Sequence, residues 1–100
     1  MAISIKQKYW LRQRAHHLRP VVILGQAGFT EAVLAELELA LDHHELIKVK
    51  VNGADRGERD ALAELIAERT GSDLVQRIGN TASYYRANPR KKAPLALPGV

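Results

Sequence analysis

The sequence contains no cysteine. It therefore has no disulfide framework and no thiolate chemistry, which suits a reducing compartment. Aromatics are scarce, with one Trp, one Phe and three Tyr in 100 residues. No apolar run approaches the ~18 residues of a membrane-spanning helix. Met1 to Gln7 lacks the apolar stretch of a secretory signal. The histidines come only as the adjacent pairs His16-His17 and His43-His44. Helix neighbours project about 100° apart, so neither pair can chelate a metal together. No serine, histidine and acid grouping stands out. The P-loop lysine and the dinucleotide fingerprint are both missing, which argues against ATP and NAD. These absences point away from an enzyme, a cofactor, a metal or a small-molecule substrate.

What the sequence does have is sorted charge. The net charge is only +4. Residues 1–28 carry Lys6, Lys8, Arg12, Arg14 and Arg19 and no acid. Residues 74–100 carry Arg77, Arg86, Arg90, Lys91 and Lys92 and no acid. All eleven acids lie between, against five bases, so the three segments sum to +5, −6 and +5. Solvated helix faces and a tail would account for this pattern. So would one positive surface made where the two ends meet, which would steer a polyanion.

One hundred residues make one domain. Ser4 with Gln7 is a capping-box pattern and opens a helix over 4–17, with Leu11, Ala15 and Leu18 on one stripe. Val21-Val22-Ile23-Leu24 is a short strand between Pro20 and Gly25. Thr30 caps a helix over 31–44. Leu46 to Val51 alternates, with Ile47, Val49 and Val51 toward a core and Leu46, Lys48 and Lys50 away from it. Such a strand is either covered on one face or an edge strand guarded by lysines. Asn52-Gly53 is a turn, and a third helix covers 55–70, with Gly71 as its stop. Strands 74–78 and 81–86 form a hairpin through Gly79-Asn80. The order α-β-α-β-α-β-β predicts a single α/β domain. Its sheet is four-stranded and mixed, the first two strands parallel and the last two antiparallel, with three packed helices. Residues 1–86 form this body, and 87–100 form a basic, proline-containing flexible tail.

Gly25-Gln26-Ala27-Gly28 lies after a strand and before a capped helix. Such a loop lets a ligand approach the backbone, and helix-start N–H groups favour a phosphate there. A plain strand-to-helix turn also fits these residues. Lys8, Arg12 and Arg19 follow one side of the first helix, interleaved with Tyr9 and Trp10. Basic side chains can track phosphates and rings can stack on unpaired bases, although such rings more often pack. Tyr84 and Tyr85 project to opposite faces of their strand, one toward the core and one available as a platform.

Together these segments resemble the CRM domain, in its small bacterial YhbY-type form. The resemblance runs from Lys6 to Arg86. It rests on Lys6-Gln7-Lys8 with Leu11, Ala15-His16, Pro20-Val21-Val22, Gly25-Gln26-Ala27-Gly28 and Thr30-Glu31. It rests most of all on His44-Glu45-Leu46-Ile47-Lys48-Val49-Lys50-Val51, and closes with Ile78-Gly79 and Tyr85-Arg86. It implies a fold like the C-terminal domain of translation initiation factor three. It also implies RNA binding, association with ribosomal RNA in large-subunit precursors, and a cytoplasmic location. The contacts expected from the loop, the first helix and the end of the last strand are Gly25, Gln26, Ala27, Gly28, Thr30, Lys6, Lys8, Arg12, Arg19 and Arg86. Two departures, Gln26-Ala27 within the loop and Asn80 after Gly79, each place a neutral residue where many relatives carry a base. The expected state is a monomer. The rival reading is a protein-interaction module docking its basic face on an acidic partner or an assembled ribosomal particle.

Overall fold

The computed structural model describes residues 3–25, 27–52 and 55–99. Gln26 of the glycine loop and Gly53 of the Asn-Gly turn lie outside the described residues. The elements are α1 (Ile5–Ala15), β1 (Pro20–Leu24), α2 (Glu31–His44), β2 (Leu46–Val51), α3 (Arg56–Thr70), β3 (Asp73–Ile78) and β4 (Thr81–Tyr85). This is the expected order, in one mixed sheet arranged β1-β2-β4-β3.

Local chemistry accounts for each helix boundary. The Ser4 hydroxyl accepts from the Gln7 N–H at 3.1 Å, and the Gln7 side chain accepts from the Ser4 N–H at 3.0 Å, so the capping box is complete. Helix α1 ends two residues earlier than the pattern predicts. His17 and Leu18 turn their N–H groups onto carbonyls three residues back, tightening the exit toward β1. Thr30 caps α2 through the Val33 N–H, and Asp55 caps α3 through the Glu58 N–H. Gly71, at φ +64°, ends α3 in the left-handed region.

The two faces of the sheet are covered differently. Val22, Leu24, Ile47, Val49, Val51, Ala82 and Tyr84 pack beneath α2 and α3 as one core. The Tyr84 hydroxyl is buried there and donates to the Ala63 carbonyl at 2.8 Å. On the opposite face Leu46, Val75 and Tyr85 pack under Leu11 and Ala15 of α1. Both tyrosines of β4 are therefore buried, on opposite faces, and neither offers a ring to a ligand. Strand β3 bulges between Leu74 and Gln76, so Val75 has no partner in β4. That bulge turns Val75 under α1, and the Val75 carbonyl accepts from Arg12 Nε at 3.1 Å.

The expected free tail is instead laid on the body. Residues 87–99 have no regular secondary structure, yet Ala87, Leu95 and Leu97 pack against the α1 cluster. Glu45 holds them. It sits at φ 62°, a left-handed conformation that costs a non-glycine residue on the order of 1–3 kcal/mol. Its carboxylate, 1 % exposed, accepts from the N–H groups of Asn88 and Leu95 at 3.0 and 2.8 Å and pairs with Lys91 at 3.3 Å. Its carbonyl accepts from the Arg86 N–H at 2.8 Å. Burial alone would raise the Glu45 pKa, but these donors outweigh it and hold the carboxyl below its ordinary value. Gln7 adds a bond to the Pro98 carbonyl at 3.0 Å. Composition suggested disorder because a basic, Pro-broken stretch has little apolar area of its own. A buried acceptor 43 residues upstream of Asn88 supplies the anchor.

Candidate nucleic-acid interface

The face opposite α2 and α3 is only partly covered, and strand register shows which part. Three cross-strand rows lie on it. Leu46, Tyr85 and Asp73 form the first, which α1 and the tail cover. Lys48, Ser83 and Gln76 form the second, and Ile23, Lys50, Thr81 and Ile78 the third. Ile23 and Ile78, at opposite ends of the third row, are 59 % and 56 % exposed. Lys48 and Lys50 are half-buried in the centre, an arrangement in which the stems cover apolar surface and the ammonium groups reach water. Beyond the third row stand the glycine loop after Leu24 and the β3–β4 turn, which the Val51 N–H reaches through the Asn80 carbonyl. The second row, buried at Ser83, and the third row, exposed at Ile23 and Ile78, thus form a partly open strip between α1 at one end and the glycine loop at the other.

Charge follows the same division. Helices α2 and α3 carry eight carboxylates, from Glu31 to Glu68, against three arginines. Two bases from the C-terminal third, Arg77 and Arg86, cross to that side. Arg77 pairs with Asp60. Arg86 binds the Glu38 carboxylate at 2.7 Å, the Asp42 carboxylate at 2.9 Å and the Thr70 carbonyl at 2.8 Å. By contrast Arg14, Arg19, Lys48 and Lys50 form no salt bridge among the described residues.

The residues singled out from the sequence separate accordingly. Arg86 is the least available of them, because Glu38, Asp42 and Thr70 occupy both terminal nitrogens of its guanidinium. Asp42 lies twelve positions beyond Thr30 along α2, about 18 Å at the helical rise and far from the glycine loop. Arg12 is committed in part, bonded to Val75 and lying over the Tyr9 ring at 5.3 Å. Lys8 stands on the β3 side, where it opposes the upward pull of burial on the Asp73 pKa. Lys6 and Arg19 are exposed. Trp10 packs on the α1 cluster while Tyr9 stays 58 % exposed. Lys48, Lys50 and Arg14 were missed as site residues. The alternation of β2 had already set both lysines opposite the core, and only the partial reach of α1 makes that face accessible.

In the loop the two glycines do different things. Gly28 is at φ +72°, so the turn itself requires it. Its N–H is spent on the Gly25 carbonyl at 3.0 Å. Gly25 shows neither a positive φ nor any heavy atom within 4 Å of an added Cβ. The fold does not demand glycine at that position, which leaves an open approach to the backbone. Thr30 spends its hydroxyl on the α2 cap, and Ala27 is exposed. Glu31, in the first turn of α2, pairs with Arg69 at 3.8 Å. The loop itself carries no cationic side chain; Arg69 of α3 lies over the Phe29 ring at 5.8 Å just beyond it, held by Glu31, and Lys50 stands beside Ile23, two residues before Gly25.

The comparisons with known proteins agree with this architecture. The model of the CRS1 / YhbY (CRM) domain matches residues 3–86. This chain belongs to that family, a non-catalytic one. An RNA-binding protein of Haemophilus influenzae is 51 % identical over 96 residues, covering 96 % of this chain and 95 % of that protein. A Pseudomonas aeruginosa protein named "Probable RNA-binding protein PA4753" is 48 % identical, covering 96 % and 92 %. A hypothetical protein of Staphylococcus aureus, solved in solution, superposes with a TM-score of 0.83 at 34 % identity, over 97 % of this chain and 100 % of that one. No helix among the described residues is long and apolar enough to cross a membrane.

Proposed function

We propose that this protein binds RNA on the strip between the glycine loop and α1. The RNA is structured ribosomal RNA in precursors of the large subunit, met in the cytoplasm by a monomer of this chain. The carrying observation is Lys48 and Lys50, without an ion-pair partner among the described residues, on a partly open sheet face whose reverse side is acidic. Phosphates lie along these lysines, with Gly25 allowing the backbone to approach at the end of the strip. Arg19, Lys6 and Lys8 widen the positive field from α1 and its exit. Phosphate contacts of this kind position an RNA without reading its sequence. The family and the names of the relatives support the RNA class. The ribosomal target rests on the resemblance described above.

The test is a titration of ribosomal RNA fragments against matched duplex DNA at several salt concentrations. The reading predicts tighter RNA binding, with log affinity falling linearly in log salt. Gly25→Asp should weaken it by about tenfold while leaving the fold intact, since a negative charge enters beside the phosphate path. Equal and weak binding to both nucleic acids would overturn the reading in favour of an acidic protein partner.

A further inference from the structure

A second feature lies at the other end of the strip, where α1 turns into β1. A pocket of about 560 Å³ opens there. That falls within the ~300–1,000 Å³ of small-molecule sites. Its apolar side comes from Leu18, Val21, Leu46 and Leu95, and its basic rim from Arg14, His17, Arg19, His44 and Lys48. None of its described lining residues is acidic. Three separate devices build it. The irregularity between Pro20 and Val22 sets Val21 out of register with β2, and a bulge of this kind re-aims a side chain. The tight exit of α1 places Leu18 and Arg19 at its edge. Glu45 fixes the wall formed by Leu95, which stands beyond the family match ending at residue 86.

We infer that this pocket receives one unpaired nucleotide of the bound RNA. The base lies on the Leu18–Val21–Leu95 surface and the flanking phosphates meet Arg14, Arg19 and Lys48. An apolar floor flanked by Arg14, Arg19 and Lys48, with no carboxylate among its described lining residues, matches a flat base carried between two phosphates. An acidic peptide would leave the apolar floor unused. This inference rests on the RNA-binding reading and deepens it. The lysine strip holds any phosphate chain, whereas the pocket selects RNA with a base out of the stack.

The experiment compares a short RNA hairpin carrying one bulged nucleotide with the same hairpin fully paired. Wild type should prefer the bulged form by about tenfold, the worth of burying roughly 55 Å² of apolar base surface on this aliphatic floor. Leu18→Ala with Val21→Ala strips the apolar floor without changing charge, at two positions that are 37 % and 48 % exposed. The double variant should abolish the preference while leaving the salt slope unchanged. Retention of the preference in the folded double variant would overturn the inference. A second readout does not depend on that variant folding. A photoreactive base at the bulge should crosslink wild type within residues 14–24 or at Leu95, and crosslinks confined to the glycine loop would overturn it. If wild type binds both hairpins equally with a steep salt slope, the pocket inference fails alone. If wild type binds neither hairpin more tightly than a poly-glutamate peptide, the RNA reading fails with it.

Discussion

The two faces of the sheet are made from one alternating pattern, yet they end in different physical states. Beneath α2 and α3 every inward residue of β2 is at most 2 % exposed, and the helices turn their carboxylates to water. On the reverse face α1 and the tail close one row, and the next two are only partly covered: Lys48, Lys50, Gln76 and Thr81 are half-buried and Ser83 is buried, while Ile23 and Ile78 stand exposed. The closed face carries stability, and the open face is where the proposed polyanion site lies. Arginine shows the difference most plainly. Arg86 on the closed side is consumed by Glu38, Asp42 and Thr70. Arg19 on the open side has no ion-pair partner among the described residues.

The comparison breaks most severely at Glu45, the residue that ties the tail across the partly covered face. Glu45→Ala should cost about 3 kcal/mol, because two N–H groups and Lys91 lose a buried acceptor. Thermal melting should show a fall on the order of 15 °C for a domain of this size. The same carboxylate predicts an acid limit. Its folded pKa lies below the ordinary value of 4.5, so its stabilisation is present above that value and is lost as pH falls through the folded pKa. Glu45→Gln should remove that part of the pH dependence, as measured by melting temperature between neutral and acid pH.

A smaller effect separates the two classes of base. Lys48→Ala with Lys50→Ala should lower RNA affinity by about tenfold and flatten the log–log salt slope by about 1–2, with melting unchanged. Arg86→Ala should do the reverse, lowering the melting temperature by several degrees through loss of about 1–2 kcal/mol while leaving the salt slope alone. The smallest effect belongs to the closed core. Tyr84→Phe removes the bond to the Ala63 carbonyl and should cost about 1 kcal/mol in denaturant unfolding, with RNA affinity unaffected.

Much of the fold was legible from one sequence because its signals are local. Ser4-Gln7, Thr30 and Asp55 mark helix starts, and the alternation of Leu46 to Val51 assigns both faces of β2 before any packing is known. The parts that escaped depend on contacts distant in sequence. Asn88 to Leu95 reads as a loose tail until Glu45, 43 to 50 positions earlier, is found beneath it. Arg86 reads as one more surface cation until α2 and α3 place three acceptors around it. Lys48 and Lys50 read as the outward side of a strand covered on one face or as guards of an edge strand, because no local signal tells how far α1 reaches along the sheet. The glycine loop was visible as a motif. Which of its glycines serves the turn and which stands open became clear only from the backbone angles.

Amide chemical-shift mapping on addition of an RNA hairpin tests the central claim most directly. The account predicts shifts concentrated at Ile23, Gly25, Lys48, Lys50 and Thr81, with the outward faces of α2 and α3 unmoved. Shifts centred on those two helices, with the open rows silent, would contradict it.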